Sequence, residues 1–262
     1  MKKSLFQKSL FLLCVFASLR LNPAVAVDHN NLDAGRPLEF DDASSVAFRE
    51  QAIEFGAAVS KPKSGVNFEG SAEYLYGFAK NSHLSVDFDP RFAREESGAR
   101  RFDSGDIGIG VFHNFNREYG STPAFALRAD AYLPTGRDSS GVDFRLRAIA
   151  TKHIFARSQL HLNLDLNVNN GAHDGERQTQ PGIILGYSQP LGYPSRFDRT
   201  LVAQIGYRAN ELQSENGVTT VGVGMRQQVG VQSVFDVGVL SDLTGGSSRE
   251  KLKIVAGYSR QF

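Results

Sequence analysis

Along most of this chain apolar residues fall at every second position, in runs of roughly ten residues separated by turn-forming residues. That period marks strands with one hydrocarbon face and one hydrated face. The clearest run is Leu160, Leu162, Leu164, Leu166 and Val168, which alternate with His161, Asn163, Asp165 and Asn167. The same alternation recurs in residues 53–59, 66–78, 84–88, 107–111, 125–133 and 142–148, and again in 183–187, 201–207, 221–225, 235–239 and 252–258. Together these predict about twelve strands, and no segment carries the period of a long helix.

The connections sort into two kinds. With the N-terminus on the periplasmic side, the outer connections are 61–64, 93–101, 134–140, 169–180, 210–217 and 242–250, most of them long and polar. The inner ones, 79–81, 116–121, 154–157, 190–198 and 227–230, are shorter except for the proline-containing fourth. An even strand number, both ends on one side and short turns on that side are the plan of a bacterial outer-membrane barrel. The expected fold is therefore all-β: a transmembrane, antiparallel, up-and-down β-barrel of about twelve strands over residues 51–262. A secreted sandwich also alternates, but with shorter strands and turns every ~8–12 residues. A propeller would show a fixed blade repeat, and none is visible.

The first 26 residues fix the compartment. Lys2, Lys3 and Lys8 precede the apolar run 10–19, and Ala24-Val25-Ala26 supplies a small-x-small cleavage pattern, so residues 1–26 are expected to be an export signal removed after Ala26. The apolar run is shorter than the ~18 residues a helix needs to cross a bilayer. Cys14, the one cysteine, leaves with this segment, and with it any disulfide, thiol nucleophile or thiolate metal site. The chain beyond Ala26 holds 25 basic and 28 acidic side chains. No broad basic surface exists to bind phosphates, which excludes a nucleic-acid partner. The expected partners are outer-membrane lipids, the outer-membrane assembly machinery and a small organic solute. Terminal Phe262, with Tyr258, Ala256 and Ile254 on the same parity, resembles the C-terminal signal read by that machinery, although Arg260 stands where an apolar residue is usual. Tyr258 and Phe262 are the candidate assembly residues, and Tyr76, Phe78, Phe115 and Tyr187 join Phe262 in a candidate inner aromatic girdle.

Three short motifs carry a family likeness. Gly35-Arg36-Pro37-Leu38-Glu39-Phe40-Asp41-Asp42-Ala43, just before the first strand, resembles the Arg-Pro-Leu and Asp-Asp-Ala opening of the outer-membrane family named for a MetA pathway of phenol degradation. Tyr132-Leu133-Pro134-Thr135-Gly136-Arg137-Asp138 is similar to that family's Pro-Thr-Gly-Asp turn, with Arg137 inserted. The strand end at 148–153, the leucine run and Asn169-Asn170-Gly171 match its leucine-rich hairpin, whereas Glu39-Phe40 departs from the small polar pair often found there. The resemblance implies an outer-membrane barrel that passes small organic molecules, and it bears on fold more than on substrate. Residues 27–50 are then either a periplasmic leader or a plug that folds back into the barrel.

If the apolar parity faces lipid, the other lines the lumen. The candidate pore-lining residues are Glu69, Glu73, Asp87 and Asp106 on the early strands, then Arg128, Asp130, Arg145, Arg147, His161, Asp165, Arg208 and Arg226. Acids early and arginines late would place walls of opposite sign across a narrow pore and favour dipolar solutes. Equally, the charges could pair and fill the lumen, because twelve strands lie between the ~8 that side chains fill and the ~16 that leave a channel. His83-x-Ser85-x-Asp87 has the residue types of a nucleophilic triad, but same-face neighbours on a strand sit ~7 Å apart, too far for direct proton transfer. The six histidines are scattered singly, and no catalytic, metal or phosphate motif occurs, so no cofactor and no metal are expected. The reading is a passive outer-membrane channel for small organic solutes, aromatic ones included, with a filled structural barrel as the alternative and an outer-membrane hydrolase behind both. Replacing Phe262 by Ala, or deleting it, is expected to lower the amount of detergent-extractable, heat-modifiable protein in outer-membrane fractions; wild-type yield in both variants would place the assembly signal elsewhere.

Overall fold

The computed structural model describes residues 36–262 apart from 63–64, 95–99, 138, 156, 193–197 and 247–248. The export segment, its cleavage point, residues 27–35 and the Asp138 of the family-like turn lie outside the described residues. The strands are β1 (Gln51–Ser60), β2 (Asn67–Ala79), β3 (Ser82–Phe88), β4 (Arg91–Arg94), β5 (Arg100–Asp103), β6 (Ile107–Asn116), β7 (Ala124–Leu133) and β8 (Asp143–His153), then β9 (Gln159–Val168), β10 (Thr179–Leu191), β11 (Arg199–Arg208), β12 (Val218–Gly230), β13 (Ser233–Asp242) and β14 (Lys253–Gln261). Twelve of them form the wall, each antiparallel to its neighbours, and β1 pairs with β14 from Ala52↔Gln261 to Ser60↔Lys253 to close it. Closure leaves no open strand edge in the bilayer, where an unpaired backbone amide costs several kcal/mol.

The pattern of exposure is inside out. On β9 the outward Leu162, Leu164 and Leu166 are 37 %, 47 % and 40 % exposed, while His161 and Asn163 between them are at 0 %. Outward Phe55, Val86, Ile109, Phe144, Ile205 and Val239 behave likewise around the ring. A water-soluble sandwich would bury these side chains; here hydrocarbon must cover them. Short turns lie at the end where Phe262 N–H donates to the Gln51 carbonyl (3.0 Å), so that end is periplasmic. Tyr76, Phe78 and Phe115 point outward there.

One expected loop is instead a strand extension. Of residues 93–101, 93–94 and 100–101 lie in β4 and β5, and β4 pairs with β5 and with the outer end of β2. Two features draw it out: Phe68, Phe92 and Phe102 form one cross-strand row, with the last two rings 5.2 Å apart, and Arg91 Nε donates to Asp103 at 3.0 Å. Between β5 and β6 three residues face only two, Asp89 and Pro90, and Gly105 makes this bulge at φ 74°, where a side chain would strike the Asp89 carbonyl. The Pro134-Thr135-Gly136 turn docks on the bulge. Thr135 Oγ1 accepts from Ile107 N–H at 3.0 Å, and the Asp106 carboxylate accepts from Gly136 N–H at 2.9 Å and Ser139 Oγ at 2.8 Å. Asp106, expected to line the pore, precedes β6 and anchors this turn, and it does not border the cavity described below.

The interior holds residues 36–47, which run through the lower lumen before β1. Leu38 and Phe40 pack with Ile184, Val202, Leu240 and Val255; Ala43 packs with Phe112, Ala126 and Ile149; Val46 packs with Ala52 and Leu75. Inward glycines make the room. A methyl group at Gly186 would enter the Phe40 ring, and one at Gly222 or Gly224 would meet Leu38 or Pro37 at 2.9 Å. Gly186→Val is expected to unseat Phe40 while leaving the strand ladder intact. The check is faster proteolysis of the N-terminal segment in a barrel that stays heat-modifiable, with a thermal midpoint lowered by several degrees.

Candidate functional site

Polar wall side chains hold the backbone of the inserted segment in place of a neighbouring strand. Gln204 on β11 accepts from Glu39 N–H (2.8 Å), and Asn163 on β9 both accepts from Asp41 N–H (2.7 Å) and donates to its carbonyl (2.9 Å). Thr151 on β8 accepts from Ala43 N–H (3.0 Å), Asn114 on β6 donates to the Ala43 carbonyl (2.6 Å), and His83 Nδ1 on β3 accepts from Val46 N–H (3.2 Å). These donors and acceptors step down the wall strand by strand, so buried amides that water would otherwise serve are satisfied. His83 is thus committed to a backbone amide and lies stacked 4.7 Å from Phe112. Ser85 receives a long bond from Arg128 (3.4 Å), and the triad-like spacing is not assembled.

Above this filled half the lumen opens into a cavity of about 610 Å³. Its floor includes Arg36 and Glu39 of the inserted segment, and its wall carries the candidates Glu69, Glu73, Asp87, Arg128, Arg145, Arg147, Asp165 and Arg208. Asp130, His161 and Arg226 do not border it. Asp130, 3 % exposed, is held between Arg128 (2.8 Å) and Arg145 (2.9 Å). His161 lies under Phe40 and bonds to Thr151 (3.1 Å) and Ser188 (3.0 Å). Arg226, 2 % exposed, faces Asp236 across the β12–β13 ladder in the filled half. All three have the inward parity, and the inserted chain or a neighbouring side chain covers them.

The expected opposition of acidic and basic walls gives way to local pairing. Arg128 joins Asp130 on its own strand and Glu73 on β2 (2.9 Å), and Arg145 joins Asp130 from the next strand. Arg147 grips Asp165 with two bonds (2.6 and 2.9 Å) and Asp41 with a third (2.9 Å), and it donates to the Glu39 carbonyl (2.9 Å). Arg36 pairs with Glu54 and the Phe55 carbonyl, and Lys253 pairs with Glu69 (2.6 Å). Asp130 is two residues from Arg128 and directly opposite Arg145, and Asp165 is directly opposite Arg147, whereas Arg128 reaches Glu73 across β6 and β3 and Lys253 reaches Glu69 across β1. Glu54, Glu73 and Asp87 sit side by side in register on β1, β2 and β3, an unfavourable like-charge row that Arg36 and Arg128 interrupt.

Sequence reasoning missed Arg36, Glu39 and Asp41 as parts of this site, along with Tyr132 and Lys253 on its wall. A signal was present: Ile184, Val202, Leu240 and Val255 are apolar on the inward parity, beside inward glycines, and a water-filled lumen has no use for either. Of the assembly candidates, Tyr258 points outward and its hydroxyl lies 2.9 Å from Ser233 Oγ, while Phe262 pairs through its backbone with Gln51.

A model of the family described as Putative MetA-pathway of phenol degradation matches residues 67–249. Among solved structures, an outer-membrane channel of Pseudomonas putida F1 superposes with a TM-score of 0.69 at 13 % identity, over 86 % of this chain and all of that one. The NanC porin (TM-score 0.58, 7 % identity, 80 % of this chain and 98 % of that one) and the KdgM porin (0.55, 12 %, 80 % and 99 %) share the architecture. No curated protein matches the chain. Removing the Arg147 guanidinium strands two buried carboxylates, so Arg147→Gln should cost about 3–5 kcal/mol in unfolding experiments in lipid. Adding Asp165→Asn to it should recover part of that loss, and a cost near zero for the single variant would show that the network does not hold the segment.

Proposed function

The chain belongs to this family of outer-membrane barrels, and on that premise we propose that it is a passive channel for small organic solutes, aromatic ones among them, gated by its own N-terminal segment. The observation that carries the reading is the division of the lumen: a polar cavity above, and below it a filled half in which the filling is residues 36–47 rather than wall side chains alone. A barrel meant only as a scaffold could fill its lumen from its own strands. Here the filling is a single stretch of chain that leads into β1, and inward glycines make room for it. Passage then requires this stretch to shift, which breaks the Arg147 contacts to Asp41 and Glu39 while the strand ladder stays closed. Tyr132 in the cavity wall gives an aromatic solute a surface to stack on. Catalysis finds no support in the site, where His83 is engaged by Val46 N–H.

Planar-bilayer recording of the purified barrel tests this. Wild type should show small, infrequent conductance steps, and a variant lacking residues 36–47 but keeping the export segment should show larger, steady ones. Arg145→Ser should shift ion preference toward cations, by an amount that shrinks as salt screens the lumen. Silence from both wild type and the deletion variant, with no solute uptake into vesicles, would favour the structural barrel.

A further inference from the structure

Among the described residues, seven cationic side chains and seven carboxylates border the cavity. Most are already spoken for: Arg36 by Glu54, Arg128 by Glu73, Arg147 by Asp165, Lys253 by Glu69, Arg145 by Asp130 and Arg91 by Asp103. Two places remain open. Asp87 and Asp89 stand two residues apart on one inward face, and no described residue donates a hydrogen bond or ion pair to either carboxylate. Asp87 is only 9 % exposed, lies over Gly108 and has one carboxylate oxygen buried without a partner. Arg128 and Arg145 act on this pair only from beyond bonding distance, and burying a carboxylate oxygen with no donor is costly, so a cationic occupant that donates hydrogen bonds would be favoured there.

The second open place has the opposite sign. Arg208 is held loosely, 3.9 Å from Glu39 and 3.4 Å from Thr220, and its side chain remains 42 % exposed. Around the closed ring β11, which carries Arg208, lies six strands from β3 in either direction, so the two open places are on opposite walls of the outer lumen. Between them on the wall is Tyr132, with the Arg145 guanidinium 5.8 Å from its ring centre.

We propose that the cavity binds a small dipolar solute carrying an ammonium at one end and a carboxylate at the other, the ammonium received by Asp87 and Asp89 and the carboxylate by Arg208. This rests on the channel reading and names the class of solute that the channel would select. The paired charges around the cavity contribute little net field, so a simple anion or a simple cation satisfies only one of the two open places. A rigid aromatic spacer between the two ends would also lie against Tyr132.

Calorimetric titration of the detergent-solubilised full-length mature protein tests the proposal, with 4-(aminomethyl)benzoate as probe and benzylamine and benzoate as its two halves. The probe should bind at least about tenfold more tightly than either half, the value of one charge-assisted hydrogen bond. Asp89→Asn and Asp87→Asn should each lower affinity for the probe and for benzylamine but leave benzoate unchanged. Arg208→Gln should bring the probe down to the affinity of benzylamine. Benzylamine binding as tightly as the probe, or equal losses for both halves in every heat-modifiable variant, would overturn the proposal. Binding needs no conduction, so the two readings fail separately: a conducting wild type with a flat titration removes the solute class alone, and a binding barrel that never conducts removes the channel alone.

Discussion

A strand in hydrocarbon can leave no amide unpaired, and this requirement shapes the molecule more than any side-chain contact does. It forces β1 onto β14, fixes the register by the alternation of lipid-facing and lumen-facing residues, and makes the wall a closed cylinder whose interior is decided separately. The inserted segment meets the same requirement by different means. It has no strand beside it, so its amides and carbonyls are served by Gln204, Asn163, Thr151, Asn114 and His83, five side chains on five strands. The ladder is a property of the backbone and tolerates substitution, whereas these five bonds depend on particular residues. Loss of the segment is therefore separable from loss of the barrel.

Arg147 links the two parts. Its bidentate hold on Asp165 belongs to the wall and its bonds to Asp41 and Glu39 belong to the segment, so one guanidinium sets the height at which the segment stops and the cavity begins. Its planar fork suits this task where an ammonium would not, since four directed bonds must leave one group in fixed directions. A guanidinium already engaged with the wall carboxylate also arrives preorganised for the segment.

The wall was legible because its rule is local. Period-two hydropathy, loop lengths and the terminal aromatic strand each report on a few consecutive residues, and together they lead to twelve wall strands. The β4–β5 hairpin escaped because its run is too short to show a period and it is drawn out by a cross-strand aromatic row formed with β2. The site was legible only in part. Parity identifies the inward residues, such as Glu73, Arg145 and Asp165, but gives no information about what covers them. His161 and Arg226 have the right parity and are sealed, and Asp106 lies beyond the strand, where parity no longer applies. Pairing is a matter of reach in three dimensions, so an inventory of acids early and arginines late could not foresee that Arg128 would turn to Asp130 beside it.

Twelve strands lie between the ~16 that leave an open channel and the ~8 whose side chains fill the lumen. A dozen residues of extended chain are about the amount of matter that closes half of it. Such a filling can be carried at the N-terminal end without an additional fold, and its apolar members, Leu38 and Phe40, find their seats only where glycines face inward. The same arithmetic explains why the other half stays open. Arg36 and Glu39 mark the floor of the cavity, above which the polar wall pairs mostly with itself. It does so almost completely, and Asp87, Asp89 and Arg208 are the few groups left over.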